Sequence, residues 1–312
     1  MVYTMQDTNC DLVSVVIPVY NAERYLQQTL DSVFRQTYRN IEVVAVDDGS
    51  TDRSLQILES YGDQLKLVKQ PNKGAAAARN LGARVATGKW IAFLDSDDIW
   101  AADKTRQQLE DCAQYLWSYS DTEFYGGVNN GKKDSDFSPK SEGNILQELI
   151  QCNFIGTSSV IIDREMFLGF GGFDESLDSI EDWELWMRIA AQHKAGYCKK
   201  ALVQYRIHPA SMSRSTRRTL PSHMVVIDRV FGAGGPAAHL AGLLNQTKAN
   251  SYGICSDIAE EEGDQSFSVY CALMALRHEP LQIARYKAMI KSILKYLMAF
   301  SRPKRPNPSL HD

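Results

Sequence analysis

The stretch WIAFLDSDDIW, from Trp90 to Trp100, joins an apolar run to a cluster of acids. The apolar run is typical of a buried strand in a parallel sheet. Its polar continuation consists of Asp95, Ser96, Asp97 and Asp98. Open α/β sheets bind ligands beyond the carboxyl ends of their strands, where these residues would lie. Because crowded carboxylates repel one another, the stretch predicts a bound Mg²⁺ or Mn²⁺; the alternative is a solvated acidic turn.

Two earlier strands are predicted to end in polar residues at the same edge. Val13–Val19 is rich in β-branched residues and leads into Tyr20. Ile41–Val46 is a second apolar run, and Asp47 and Asp48 follow it directly. Helical patterns separate these strands, which indicates right-handed βαβ units and an α/β fold with a mostly parallel sheet. Three polar strand ends are therefore expected to lie together.

The rest of the chain contains further predicted helices and strands, and the pattern changes to helices alone near its C-terminal end. Hydrophobic spacing predicts helices over 22–36, 74–86, 101–114, 144–151 and 181–192, and strands over 65–69, 115–120, 157–162 and 201–207. The Gly-, Asn- and Lys-rich segment 125–143 reads as a mobile loop. From 220 onward only helices are predicted. We expect one α/β domain over 1–219, with halves of about 13–100 and 101–219, then a helical extension over 220–300 and a disordered tail over 301–312.

Composition narrows the class of protein and its compartment. The chain has 312 residues, is 44% hydrophobic and carries a formal net charge of −4, so its overall charge does not argue for a nucleic-acid partner. Six scattered cysteines without a CxxC motif favour reduced thiols and a cytoplasmic location. No apolar run reaches the roughly 18 residues of a transmembrane helix. The N-terminal sequence MVYTMQDTNCDL does not resemble a signal peptide.

Six segments recur in an order that resembles a known family. They are VSVVIPVYN, VDDGSTD, NKGAAAARNLG, FLDSDD, GGFDE and EDWELWMR, and they lie between Val13 and His208. Together they resemble the family 2 glycosyltransferases, which are inverting enzymes with the GT-A fold. The resemblance implies a hexosyltransferase that uses a nucleotide-diphosphate sugar and a divalent metal, Mn²⁺ or Mg²⁺. It covers about two thirds of the chain and does not extend beyond residue 220.

The resemblance assigns the residues of a donor-nucleotide pocket. Pro18 and Tyr20 would line the base, and Asp48 would accept a hydrogen bond from the uracil N3–H. That assignment suits a carboxylate, which only accepts, facing an imide that donates. Asp47 would either contact the base or orient the turn. UDP is therefore the expected nucleotide, with GDP and dTDP as alternatives on the same scaffold.

The acidic stretch would contact the ribose and, through a bound metal, the diphosphate. By the same resemblance Asp95 and Ser96 belong to the nucleotide site, near the ribose, and Arg79 would lie by the ribose or the diphosphate. Asp97 would bind the metal that bridges the two phosphates. Asp98 is expected instead to cap the helix that follows the stretch.

The chemical step needs a base on the acceptor side. In single displacement, the acceptor hydroxyl gives its proton to a positioned carboxylate. The resemblance assigns this role to Asp182, with Glu181 holding the acceptor or orienting its neighbour. The segment YRIH matches a further feature of the family, so that Arg206 would contact the diphosphate and His208 the metal or a phosphate.

The acceptor itself is less visible in the sequence. Ser158 and Ser159 match a Thr-Ser-Ser segment on the acceptor side of the family. The loop 125–143 and the C-terminal segment are where an acceptor would be recognised, and the resemblance suggests a glycan or a lipid-linked sugar. Between Leu281 and Asp312 there are seven Lys or Arg residues and one acid. This segment reads as a helix packed through its apolar stripe with a solvated lysine face, or as a basic amphipathic surface on the inner face of a membrane.

Other functions are less well supported by the residues. A sugar-1-phosphate nucleotidyltransferase would need a Gly-rich basic loop after the first strand, where this chain has Pro18-Val-Tyr-Asn. A nicotinamide dehydrogenase would need a G-x-G-x-x-G segment after a strand, and no predicted strand of this chain is followed by one. A catalytically inactive sugar-binding protein on the same fold is the non-enzymatic alternative, and it would tolerate the loss of Asp97 and Asp182.

Overall fold

The computed structural model describes residues 11–208 and 215–300, with only the backbone of 299 and 300. The chain divides into two compact units, Met1–Pro209 and Ala210–Asp312. A helix, Thr216–Phe231, spans the boundary expected at 219/220. The tail expected to be disordered, 301–312, lies outside the described residues.

The first unit is built on one sheet of eight strands. The strands are β1 (Val13–Val19), β2 (Ile41–Asp47), β3 (Lys66–Lys69), β4 (Trp90–Phe93), β5 (Ile99–Trp100), β6 (Trp117–Tyr125), β7 (Ile161–Asp163) and β8 (Gly196–Arg206). Their order is β3-β2-β1-β4-β7-β6-β8-β5. The first four strands in this order pair in parallel, as predicted. Beyond β4 the pairings are antiparallel except for β6 with β8.

Helices connect and cover the strands of this sheet. They are α1 (Leu26–Phe34), α2 (Ser54–Ser60), α3 (Ala75–Val85), α4 (Lys104–Asp111), α5 (Leu146–Leu149), α6 (Arg164–Gly169) and α7 (Glu181–Ala190). Strand β1 lies between two parallel neighbours and is buried along its whole length. The alanine-rich α3 approaches it closely, because a Cβ placed on Gly82 would come within 2.4 Å of a methyl carbon of Val16. Small residues on this helix therefore fix its distance from the sheet.

Two local predictions differ from the structure for identifiable reasons. Helix α1 begins at Leu26 rather than at 22, because Asn21 adopts a left-handed conformation with φ of 49°. Its side-chain oxygen accepts a hydrogen bond from the Thr51 backbone (2.8 Å) instead of capping the helix. The strand expected over 157–162 is split into a 3₁₀ turn, Thr157–Ser159, and β7.

The segment expected to be a mobile loop folds back on β6. The Phe124 N–H donates to the Lys132 carbonyl at 2.9 Å, and the Gly131 N–H donates to the Phe124 carbonyl at 2.8 Å. A 3₁₀ turn, Asp134–Asp136, follows, and the Ser135 hydroxyl donates to buried Asp121 at 2.6 Å. Part of the segment is therefore a short hairpin turn that pairs with the end of β6 through a single β-bridge, Glu123–Lys133.

The second unit is helical in its described part. Its helices are α8 (Thr216–Phe231), α9 (Leu244–Glu261), α10 (Gln265–His278) and α11 (Ile283–Phe300), with a 3₁₀ segment at Ala238–Leu243. They enclose a small core that includes Leu220, Tyr252 and Cys255. In the portion of the chain that is described, no helix is long and apolar enough to cross a membrane.

Helix α11 does not pack through its apolar stripe, which is one of the two arrangements considered from the sequence. Its apolar residues Ile290 and Leu294 are 51% and 55% exposed. Lys291 and Lys295 form ion pairs with Glu260 of α9, and their side chains stay 53% and 45% exposed, as expected for a solvated face. The prediction of a buried apolar stripe is therefore wrong.

A buried lysine lies between α4 and the sheet. Lys104 is fully buried, with its ammonium 2.9 Å from the Gln108 side-chain oxygen and 4.2 Å from the centre of the Trp100 ring. Burial lowers the pKa of Lys104 to about 7. Its protonated form is therefore disfavoured in the folded state relative to the unfolded chain.

We expect the substitution Lys104→Met to remove a pH dependence of stability. Between pH 7 and about 10 the unfolded lysine is protonated while the folded one is neutral, so lowering the pH favours unfolding by about 1.4 kcal/mol per pH unit. Urea unfolding of parent and variant across this range measures the difference. The exposed Lys69→Met variant should follow the parent, and parallel curves for Lys104→Met would contradict the assignment.

Candidate active site

The polar strand ends predicted from the sequence meet at one edge of the sheet. Parallel pairing sets Val19 opposite Asp47, and the Asp48 N–H donates to the Val19 carbonyl at 2.8 Å. Pro18 is buried in β1, and Tyr20 beyond it is 50% exposed. The edge thus carries an exposed aromatic ring beside two buried carboxylates.

Asp48 organises the loop in front of α3. Its carboxylate accepts hydrogen bonds from the Lys73 and Gly74 backbone amides at 2.8 and 2.9 Å, and from the Gln70 side chain at 2.7 Å. Asp47 accepts more weakly, from the Ser50 amide at 3.3 Å. A carboxylate has about four acceptor positions, so one position on Asp48 remains after these three bonds.

Arg79 joins the acid cluster to the start of α7. Its guanidinium is buried and donates to Asp95 and to Glu181, both at 2.6 Å. Burial alone would lower the pKa of Arg79, but the attraction of the two carboxylates outweighs it and the pKa is raised. Its Nε has no hydrogen-bond partner among the described residues. One cation therefore holds together two segments that are far apart in sequence.

Asp97 and His208 form the pair of residues best suited to a metal. A carboxylate oxygen of Asp97 lies 2.8 Å from Nε2 of His208. Burial and repulsion from Asp95 raise the pKa of Asp97, and His208 partly offsets this. Within residues 11–208 and 215–300 no group of three or more His, Cys, Asp or Glu side chains could hold a metal ion. This pair nevertheless fits Mg²⁺ or Mn²⁺, which take few protein ligands and complete their shell with phosphate and water.

Arg206 is held in place by two aromatic rings. Its guanidinium carbon lies 4.4 Å from the Tyr25 ring centre and 4.7 Å from that of Tyr125. It donates to the Asp97 carbonyl at 2.7 Å and to Gln28 at 2.8 Å. In this geometry Arg206 positions the acidic loop, and its contact with a diphosphate stays a prediction.

Asp98 does not cap a helix, and that prediction is wrong. Its buried carboxylate accepts from the Ser158 hydroxyl at 2.6 Å and from the Arg206 amide at 2.9 Å, whereas α4 begins only at Lys104. Burial, together with the charges of its acidic neighbours, raises the pKa of Asp98 well above its usual range. The Ser158 hydroxyl also accepts from the Asp95 amide at 3.0 Å, so this serine lies beneath the acidic loop.

Thr29 of α1 supports the same loop from the other side. Its hydroxyl lies 3.0 Å from the Ser96 carbonyl and 2.8 Å from the Asp98 carbonyl. Ser96 itself is partly exposed, and its contact with the nucleotide stays a prediction. Thr29, Gln28 and Tyr25 were not found from the sequence, where they read only as part of an amphipathic helix.

Asp182 lies at the first turn of α7, beside Glu181. It accepts from the Trp183 amide at 2.7 Å and from the Thr157 hydroxyl at 3.2 Å. Burial and repulsion from Glu181 raise the pKa of Asp182 to about 6, although Arg79 opposes the shift. Glu181 is buried and bonds directly to Arg79, which it shares with Asp95. Adjacent carboxylates therefore have different electrostatic environments.

Solved structures with the same architecture identify the fold. The chain aligns with the crystal structure of Staphylococcus aureus TarS 1–349 in complex with UDP-GlcNAc, with a TM-score of 0.62, 18% identity and coverage of 94% of this chain and 93% of that one. It also aligns with the mannosyltransferase PcManGT of Pyrobaculum calidifontis in complex with GDP-Man and Mn²⁺, with a TM-score of 0.59, 18% identity and coverage of 94% and 88%. The first unit has the GT-A fold.

Sequence relatives identify the family. A sequence model described as Glycosyl transferase family 2 matches residues 14–165. Escherichia coli WfgD, named a UDP-Glc:α-D-GlcNAc-diphosphoundecaprenol β-1,3-glucosyltransferase, is 32% identical over 241 residues, which cover 75% of this chain and 91% of WfgD. An uncharacterized glycosyltransferase of Rickettsia conorii is 36% identical over 205 residues, but the match covers 65% of this chain and only 34% of that longer protein. The chain belongs to glycosyl transferase family 2.

We expect Arg79→Met to be strongly destabilising. It leaves Asp95 and Glu181 partly or wholly buried without their cation, and breaking a buried pair of this kind typically costs about 3–5 kcal/mol. Denaturant unfolding of the full chain measures the loss. Arg53→Met is the matched control, since its ion pair with Glu23 is exposed and should contribute about 1 kcal/mol or less. Equal stabilities of the two variants would contradict a structural role for Arg79.

Proposed function

We propose that the protein is an inverting, metal-dependent hexosyltransferase that uses a UDP-sugar. The observation that carries the proposal is the double ion pair of Arg79. It brings the acidic loop after β4 and the carboxylates that begin α7 to the two ends of one guanidinium. On this proposal, the site for a charged leaving group and the candidate base would be held close together by Arg79.

The donor half of the proposal rests on the edge of β1, β2 and β4. Tyr20 would lie against the base, and the remaining acceptor position of Asp48 would receive the base N–H. Asp97 and His208 would hold Mn²⁺ or Mg²⁺, which when bound offsets the negative charge that develops on the departing diphosphate. Arg206, fixed between two rings, would keep the Asp97 loop in place as the charge changes.

The acceptor half of the proposal rests on Asp182. An acceptor hydroxyl would attack the anomeric carbon from the face opposite the nucleotide, and its proton would pass to the Asp182 carboxylate. A pKa of about 6 keeps this carboxylate ionised at neutral pH yet makes it a stronger base than an exposed aspartate. Glu181, bonded to Arg79, would orient α7 and its base.

The acceptor class is proposed from the relatives and from the hairpin after β6. WfgD and the related E. coli WfaP are both named for action on a diphosphoundecaprenol-linked GlcNAc. On this support we propose a lipid-linked sugar acceptor and a cytoplasmic protein that works at the inner face of the membrane. Val128 on the hairpin, Tyr125 at the end of β6 and Phe137 after the 3₁₀ turn are exposed, and Tyr125 packs against Arg206, so an acceptor sugar could be recognised there.

We expect metal-dependent binding of UDP in preference to GDP, dTDP and CMP. Calorimetric titration of each nucleotide into the full chain, with Mn²⁺ and then with a chelator, measures it. Asp97→Asn should lower the affinity for UDP with Mn²⁺ by about tenfold or more, because it removes a charged ligand of the ion. The exposed Asp63→Asn should bind like the parent. If no nucleotide binds under any condition, the transferase proposal fails and the inactive sugar-binding alternative gains.

We expect the pH dependence of turnover to report Asp182. Since the base must be ionised, kcat should fall as the pH decreases through about 6, and it should drop by about a hundredfold or more in Asp182→Asn. Steady-state rates with UDP-sugar and a lipid-linked GlcNAc acceptor, between pH 5 and about 8, provide the measurement.

Thr157→Val provides a sharper control for the same residue. Removing its hydroxyl takes away a hydrogen bond that stabilises the ionised form of Asp182, so the acidic limb should move to higher pH while nucleotide affinity is kept. An acidic limb that stays in place would argue that another group is the base.

A further inference from the structure

The outward side of α11 is an unusually apolar surface for an exposed helix. Its large apolar side chains range in exposure from 44% at Tyr286 to 71% at Ile283. The others are Ile290, Leu294, Leu297 and Met298. Most are spaced by three or four positions, so they form one stripe along the helix. We refer to these six residues as the outward stripe.

The opposite side of α11 fixes this orientation. Ser292 is buried, and its hydroxyl accepts a hydrogen bond from Ser268 of α10 at 3.3 Å. Lys291 and Lys295 form ion pairs with Glu260 of α9. Turning the helix to bury the outward stripe would break these contacts. The exposure therefore follows from the packing of the second unit.

The charges on α11 all have the same sign. The helix contains no Asp or Glu, and Lys287 lies beside the stripe, three and seven positions before Ile290 and Leu294, whereas Lys291 and Lys295 face Glu260 of α9. Glu260 already pairs with Lys291 and Lys295, so pairing two copies through their outward stripes would bury Lys287 with no carboxylate on either helix to face it. An anionic surface satisfies both the apolar stripe and its basic border.

We propose that the outward stripe docks the protein on an anionic lipid surface. The helix would lie in the plane of the membrane, with the stripe among the acyl chains and Lys287 at the headgroups. The inference rests on the proposed function at the inner face of the membrane and deepens it, because the exposure and charge of α11 identify the surface that would dock. It also supplies a reason why an enzyme without a described membrane-spanning helix could meet a lipid-linked acceptor.

Flotation with vesicles tests the proposal on the full chain without any nucleotide. We expect the protein to bind vesicles with about 30 mol% phosphatidylglycerol more tightly than phosphatidylcholine vesicles, and less tightly in high salt. The double variant Ile290→Gln/Leu294→Gln should lose about ten- to a hundredfold in binding to the anionic vesicles. Leu116→Gln, at a 49% exposed leucine of the first unit, is the matched control and should bind like the parent.

A second variant separates the apolar and electrostatic contributions. Lys287→Gln removes one positive charge at the border of the stripe and should weaken binding to anionic vesicles about fivefold, with little effect on neutral ones. Binding by the double variant that equals the parent's would overturn the proposal. So would a parent dimer that the double variant converts to monomers without vesicle binding, which would make the stripe a protein interface. UDP titration of the same variants separates either failure from a failure of the proposed function, because no α11 residue belongs to the candidate active site.

Discussion

The site depends on one buried guanidinium placed between carboxylates that would otherwise repel one another. Asp95 ends the apolar run of β4, and Glu181 begins α7, more than eighty residues later in the chain. Arg79 contacts both at 2.6 Å from within α3. Burying any of these three charges alone would cost several kcal/mol, so each is tolerated only because the others are present. The helix that carries the candidate base is thereby tied to the strand end that carries the acids.

Most of the fold could be predicted because it depends on local patterns. Runs such as Val13–Val19 are apolar throughout, and they form buried parallel strands whatever lies farther along the chain. The contacts around the acidic loop could not be predicted in this way. Asp98 reads as a helix cap beside its neighbours, yet its partners are Ser158 and Arg206, which lie 60 and 108 residues away. Where a side chain could bond to partners either near or far along the chain, tertiary packing determines which partner it takes.

Helix α11 shows a second limit of sequence patterns. Periodicity identifies which residues share a face, but it does not say which face meets the neighbouring helix. Here the buried side is the one with Ser292, and Lys291 and Lys295 form ion pairs with Glu260 of α9 while their side chains stay exposed. The apolar residues are then left outside. A sequence argument that assigns the apolar face to the core assumes that no polar arrangement can compete with it.

The adjacent carboxylates Glu181 and Asp182 have different neighbours in the fold. Glu181 is bonded to Arg79, so its charge is partly balanced within the protein. Among the described residues no cation bonds directly to Asp182, which accepts from Thr157 and a backbone amide, while burial and repulsion from Glu181 raise its pKa to about 6. If Asp182 held the direct bond to Arg79, the arginine would stabilise its ionised form and make it a weaker candidate base. Burial is thus the main cause of the raised pKa of Asp182, and Arg79, which bonds to Glu181 rather than to Asp182, offsets it only in part.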